Sequence, residues 1–111
     1  MLPKKHKINK EILKKAIKLG KRSDSNPLYL KVIHIKSNVP AFSFVVSKKI
    51  SKSAVKRNTI KRRARHAIWK NISIFKPGVA AVFFFKPGSE KINFQEVEKT
   101  IIALSKKAGI A

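Results

Sequence analysis

SKKISKSAVKRNTIKRRARHAIWKN, residues 47–71, is the stretch on which both fold and function turn. Read from Ser53 at about 100° per residue, Ile60, Ala64, Ala67 and Ile68 fall into one narrow apolar stripe. That spacing predicts a helix over 53–71 lying on a sheet. Asn58, Lys61, Arg62 and Arg65 occupy one flank, and Lys56, Arg63 and Lys70 the other, with Arg57 near the stripe one turn earlier. A solvated helix face normally alternates charge sign and gains a few tenths of a kcal/mol from each i,i+4 pair. Here Arg57 stacks on Lys61 and Lys61 on Arg65, and no acid lies nearby to offset the repulsion. A helix built this way needs an anion outside it.

The rest of the chain shares the imbalance. Among 111 residues, 27 Lys and Arg face five acids, a formal net charge of +22. Residues 25–89 contain no Asp or Glu, so the excess belongs to the folded body and not to a tail. Such a surface repels itself until a polyanion arrives. Nucleic acid fits best; a membrane-surface helix would need a broad apolar face with aromatic anchors, and none is present. The absence of cysteine excludes a disulfide scaffold, a cysteine zinc site and a thiol nucleophile. No apolar run of signal-peptide length follows the basic N-terminus, which makes the cytoplasm the expected compartment. The longest apolar run, residues 79–85, is too short to span a bilayer.

Outward from the basic helix, the flanking segments read as helix and strand in alternation. Asn9 caps a helix over 10–19, with Ile8 and Leu13 spaced as a hydrophobic staple and Gly20 as its stop. Residues 21–27 form a polar connection with room for a short strand. Residues 28–35 and 41–46 read as strands, the second with Phe42, Phe44 and Val46 on one face. Pro77-Gly78 and Pro87-Gly88 punctuate the chain on either side of a buried strand over 79–85. Asn93 and Glu96 stand in capping-box spacing, Ile92 and Val97 form a staple, and Phe94, Val97, Ile101, Leu104 and Ala108 mark the core face of a last helix. The expectation is one α+β domain over 1–111, an α-β sandwich of about four strands and three helices in the order αβββαβα. Residues 1–7 are expected to form a mobile basic arm.

The ordered pattern Ser47-Lys48-Lys49-Ile50, Ala54-Val55-Lys56-Arg57-Asn58 and Ile60-Lys61-Arg62 with Arg65 resembles the bacterial ribonuclease P protein family. In that family a strand ending in Ser-Lys-Lys leads into a helix bearing an Arg-Asn core. The resemblance covers most of the chain and is strongest over 42–65. It implies a ribosomal S5-type fold with a left-handed βαβ crossover, where pattern rules alone give a right-handed one. It also implies a subunit of a ribonucleoprotein endonuclease, a hydrolase in which catalysis resides in the RNA and the protein alone is inactive. The implied partners are the catalytic RNA, one protein per RNA, and precursor tRNA, whose 5′ leader is removed. The free protein is expected to be monomeric, with no membrane partner. No cofactor is implied for the protein itself, and Mg²⁺ serves the RNA-based reaction.

By the same resemblance, Lys48, Lys49, Lys52, Lys56, Arg57, Asn58, Lys61, Arg62 and Arg65 contact the catalytic RNA. Leu13, Ile17 and Tyr29 line a groove for the leader, with Lys31 and Lys86 at its rim. This sequence departs from the family pattern in that groove. Leu13 and Ile17 stand where Phe is usual and Lys86 where Arg is usual; on the helix, Thr59 ends the usual Arg-Asn-Arg triplet and removes one cation.

Other chemistry finds little support. His6, His34 and His66 are scattered, and Glu96 and Glu98 face different ways on a helix, so no carboxylate cluster for a two-metal nuclease is visible. No Gly-rich phosphate loop occurs. Phe83, Phe84 and Phe85 read as core before they read as a stacking platform. Trp69, opposite the apolar stripe, is open to two roles: packing under the next loop or touching RNA. A structural RNA binder such as a small ribosomal protein explains the charge and size equally well, and only the ordered motif sets it aside. A DNA-binding module lacks the turn-linked partner helix.

Overall fold

The computed structural model describes residues 2–111. Its helices are α1 (Lys10–Leu19), α2 (Ala54–Lys70) and α3 (Phe94–Lys107), and its strands β1 (Lys21–Ser25), β2 (Leu28–His34), β3 (Ala41–Val45) and β4 (Val79–Phe85). The sheet runs β1-β2-β4-β3, with β3 parallel to β4 and the other neighbours antiparallel. α2 is therefore the crossover between two parallel neighbours.

Each helix begins where a side chain satisfies a free amide. The side-chain oxygens of Asn9, Ser53 and Asn93 accept from the backbone N–H of Ile12, Lys56 and Glu96. The stop of α1 works differently from the expected left-handed cap. Gly20 is extended (φ −64°, ψ 142°), and a Cβ there would lie 2.3 Å from the Ala16 carbonyl oxygen and 3.0 Å from Lys31 Cβ. Glycine is required because a Cβ would strike the last turn of α1 itself and crowd β2, not by backbone handedness.

β4 is buried along its whole length because the sheet is covered on both faces. Phe83 and Phe85, with Leu28, Leu30, Phe42 and Phe44, point toward α2 and α3. Val82 and Phe84 point the other way, under Ala16 of α1. Full burial of a side chain such as Phe83 contributes roughly 1.5–3 kcal/mol.

The short strand allowed after α1 is present as the edge strand β1, zipped onto β2 through the tight turn at Asn26-Pro27, and completes the expected αβββαβα order. One segment differs from the sequence reading. The expected basic arm is not an arm over Leu2–Lys7. Leu2 joins the core, His6 is buried with Nδ1 2.7 Å from the Pro40 carbonyl oxygen, and Lys7 bridges to Phe42 beside β3. Met1 lies outside the described residues. A buried apolar anchor at Leu2 and a buried, hydrogen-bonded one at His6 outweigh the intervening lysines. Among the described residues, no helix is long and apolar enough to cross a membrane.

Candidate nucleic-acid interface

Burial of Ile60, Ala64, Ala67 and Ile68 fixes the rotation of α2 on the sheet. Lys56, Asn58 and Arg62 consequently project into solvent, while Arg57, Lys61 and Arg65 lie half-buried along the flanks. Lys48, Lys49 and Lys52 are exposed in the turn that leads into the helix. Among the described residues the ion pairs are Arg22–Asp24, Lys86–Asp24 and Lys70–Glu98. None of the cations from Lys48 to Arg65 has an acidic partner. Arg57 is partly committed to structure, since its Nη1 donates to the Ser51 carbonyl oxygen at 2.8 Å and ties the lead-in to the helix.

The two flanks of α2 open on different neighbours. Lys61 and Arg65 line a cavity of about 240 Å³ with Lys7, Ser43 and Phe44. The docked N-terminal segment thus adds a cation to the side of α2 that carries Asn58. On the opposite flank, Lys56, Thr59 and Arg63 face Ile50, Ser51 and Glu90. Thr59 donates its hydroxyl to the Val55 carbonyl oxygen at 3.0 Å, a local bond that leaves this position without charge.

On the other face of the sheet, the five predicted groove residues share the α1 side but play unequal parts. Leu13 packs against the Ala16–Val82–Phe84 cluster, whereas Ile17 is 41% exposed. Lys31 is not a free rim cation, because its Nζ donates to the Ile17 carbonyl oxygen at 2.7 Å and joins β2 to the end of α1. Tyr29 stacks on Phe84, with ring centroids 4.5 Å apart and planes 4° from parallel. The Arg22 guanidinium lies over the same Tyr29 ring, 4.0 Å from its centroid. Lys86 donates to Asp24 Oδ2 at 2.8 Å and to Asn26 Oδ1 at 3.0 Å.

Asp24 ties this second region together. It accepts from Arg22 Nε at 2.8 Å and Nη2 at 3.1 Å, the two-point geometry that suits a guanidinium. The hydrogen bonds from Arg22, then those from Lys86, hold the Asp24 carboxyl well below the usual carboxylate range, and Asp24 in turn raises the Arg22 guanidinium. Sequence reasoning passed over Arg22 and Asp24. The available signal was Asn26-Pro27 as a hairpin turn, which sets Asp24 opposite Tyr29 and Arg22 opposite Lys31.

Of the remaining candidates, Trp69 faces the buried His6 ring at 6.1 Å while staying 39% exposed, and His66 lies 5.3 Å from Phe94. Among the described residues, no three His, Asp or Glu side chains converge as metal ligands.

Known proteins share both the sequence pattern and this architecture. The ribonuclease P family model matches residues 2–109. A ribonuclease P protein component from Clostridioides difficile is 31% identical over 99 residues, covering 88% of this chain and 86% of that protein. A Staphylococcus aureus RNase P protein mutant with defective mRNA degradation activity superposes with a TM-score of 0.86 at 18% identity, covering 96% of this chain and 90% of that one. The RNase P protein from Thermotoga maritima does so with a TM-score of 0.82 at 19% identity, covering 91% and 96%. At those identities the structures establish the fold alone, while the family model and the clostridial relative carry the relationship. The chain belongs to the ribonuclease P protein family.

Proposed function

We propose that the chain binds the catalytic RNA of ribonuclease P through α2 and its Ser-Lys-Lys lead-in, and helps that RNA remove the 5′ leader of precursor tRNA. One observation carries the reading: a helix fixed by its apolar stripe presents Lys56, Asn58, Lys61, Arg62 and Arg65 with no acid to pair them. Arg suits phosphate because its planar fork bonds two oxygens at once, and Asn58 adds a group able to bond a base edge or a sugar. The sheet face beside α1, with Tyr29 and Lys86, is the site proposed for the single-stranded leader. Among the described residues no acids cluster as metal ligands, and on this reading the reaction and its Mg²⁺ belong to the RNA. One protein per RNA, monomeric when free, is the assembly expected.

Reconstitution with a bacterial ribonuclease P RNA and end-labelled precursor tRNA tests this. The protein should raise 5′ cleavage at low Mg²⁺, where the RNA alone is slow, and RNA-free protein should leave precursor tRNA intact. The S. aureus structure is that of a mutant with defective mRNA degradation activity, so the protein-only arm includes an mRNA. Cleavage of precursor tRNA by RNA-free protein, or no stimulation of the RNA, would overturn the proposal.

A further inference from the structure

We propose that Asp24 is a positioning residue that holds Arg22 on the Tyr29 ring and Lys86 beside it, so that this face takes a nucleic-acid strand by its phosphates and not by stacked bases. The inference rests on the leader-binding reading above and specifies its chemistry.

The geometry begins with the Tyr29 ring. β4 and β1 flank β2 on opposite sides, so Phe84 reaches the ring from one side and Arg22 from the other. A base has no open face of Tyr29 to stack on until Arg22 leaves. Arg22 is half-exposed and would be mobile by itself, but two hydrogen bonds to Asp24 tether it. Those bonds use the Nε–H and one Nη2–H, leaving three N–H donors for an incoming phosphate oxygen. Lys86 is likewise aimed by Asp24 and Asn26, with one ammonium hydrogen to spare. Arg22, Lys86 and Asp24 together carry one net positive charge. Leu13 and Ile17, on the same side of the sheet, offer no ring for stacking either.

The experiment uses holoenzyme assembled with a bacterial ribonuclease P RNA. Its affinity is measured for precursor tRNA with an intact leader, with abasic leader nucleotides, or with uncharged methylphosphonate linkages. With the native protein, abasic sites should change affinity by less than about twofold, whereas uncharged linkages at the groove should weaken binding by more. Arg22→Ala uncovers the ring, and abasic sites should then cost about fivefold or more, the low end for a stacked base. Asp24→Asn should shift abasic sensitivity the same way, as it untethers Arg22 without changing side-chain size. Tyr29→Ala should weaken leader binding more in the Arg22→Ala background than in the native one. A merely structural Asp24 would move none of these differences, and thermal melting confirms that each variant is folded. Equal abasic sensitivity in native and Arg22→Ala holoenzymes, with the preference for precursor over mature tRNA intact, would overturn the role of Asp24 alone. Loss of that preference in the native holoenzyme would remove the leader reading, and this inference with it.

Discussion

Two cationic regions lie on opposite sides of one sheet and are built by opposite rules. On α2, Lys56, Lys61, Arg62 and Arg65 form no ion pair, and like charges stack at i,i+4. Beside α1, every cation near Tyr29 is already engaged: Arg22 and Lys86 by Asp24, and Lys31 by the end of α1. Unpaired cations are loosely oriented and wait for an anion, which suits a large, irregular phosphate surface. Cations held by a carboxylate are aimed in advance, which suits a defined strand. Charge density alone does not distinguish the two regions; the placement of a single acid does.

The largest expected effect separates the regions through packing. Gly20→Ala forces a Cβ into the Ala16 carbonyl and against Lys31. Overpacking of this kind costs roughly 1–3 kcal/mol. Stability by urea denaturation should fall by about that amount, and the α1–β2 junction should loosen. The holoenzyme should lose preference for precursor over mature tRNA, while affinity for the catalytic RNA changes far less, since α2 packs on the other face. Equal loss of both affinities would show that the two regions do not act separately.

That division was only half legible in the sequence. The α2 face follows from periodicity within one segment, so composition and a 100° step were enough to find it. The caps Asn9 and Asn93 are likewise local and stand where expected, and Ser53, read as the start of the α2 helix, is its cap. The Arg22–Asp24–Lys86 cluster joins residues about sixty positions apart and depends on strand register, which no local pattern reveals. β1 was legible only as room for a short strand, because KRSDS lacks the β-branched and aromatic residues that mark one; as a polar edge strand, it needs few. In β4, the triple Phe concealed two facings, with Phe84 serving the α1 side and its neighbours the other. The groove residues came from family resemblance, and that Phe84 and Arg22 lie against the Tyr29 ring depends on strand pairing, which the resemblance did not supply.

A smaller effect tests the contrast in the free protein. Lys61→Ala removes like-charge repulsion with Arg57 and Arg65 and favours helix, so it should stabilise the protein by a few tenths of a kcal/mol. Asp24→Asn should lower the melting temperature instead. Because the folded carboxyl titrates below its unfolded value near 3.9, its contribution is present above about pH 4 and fades as pH falls through the lowered folded value. The two Asp24 forms should therefore converge in acid. Opposite signs at neutral pH are the expected outcome of melting the three proteins side by side, and matching signs would erase the distinction.

The central claim is that α2 docks RNA through phosphates, and salt dependence of binding to ribonuclease P RNA tests it most directly. With roughly six phosphates neutralised, log K should fall with log salt at a slope near −4, using about 0.7 per phosphate for single-stranded or irregular RNA. Replacing Lys61, Arg62 and Arg65 together by Ala should reduce that slope by about two units, while Arg22→Ala leaves it almost unchanged. A slope unaffected by the triple replacement, or lowered as much by Arg22→Ala, would contradict the account.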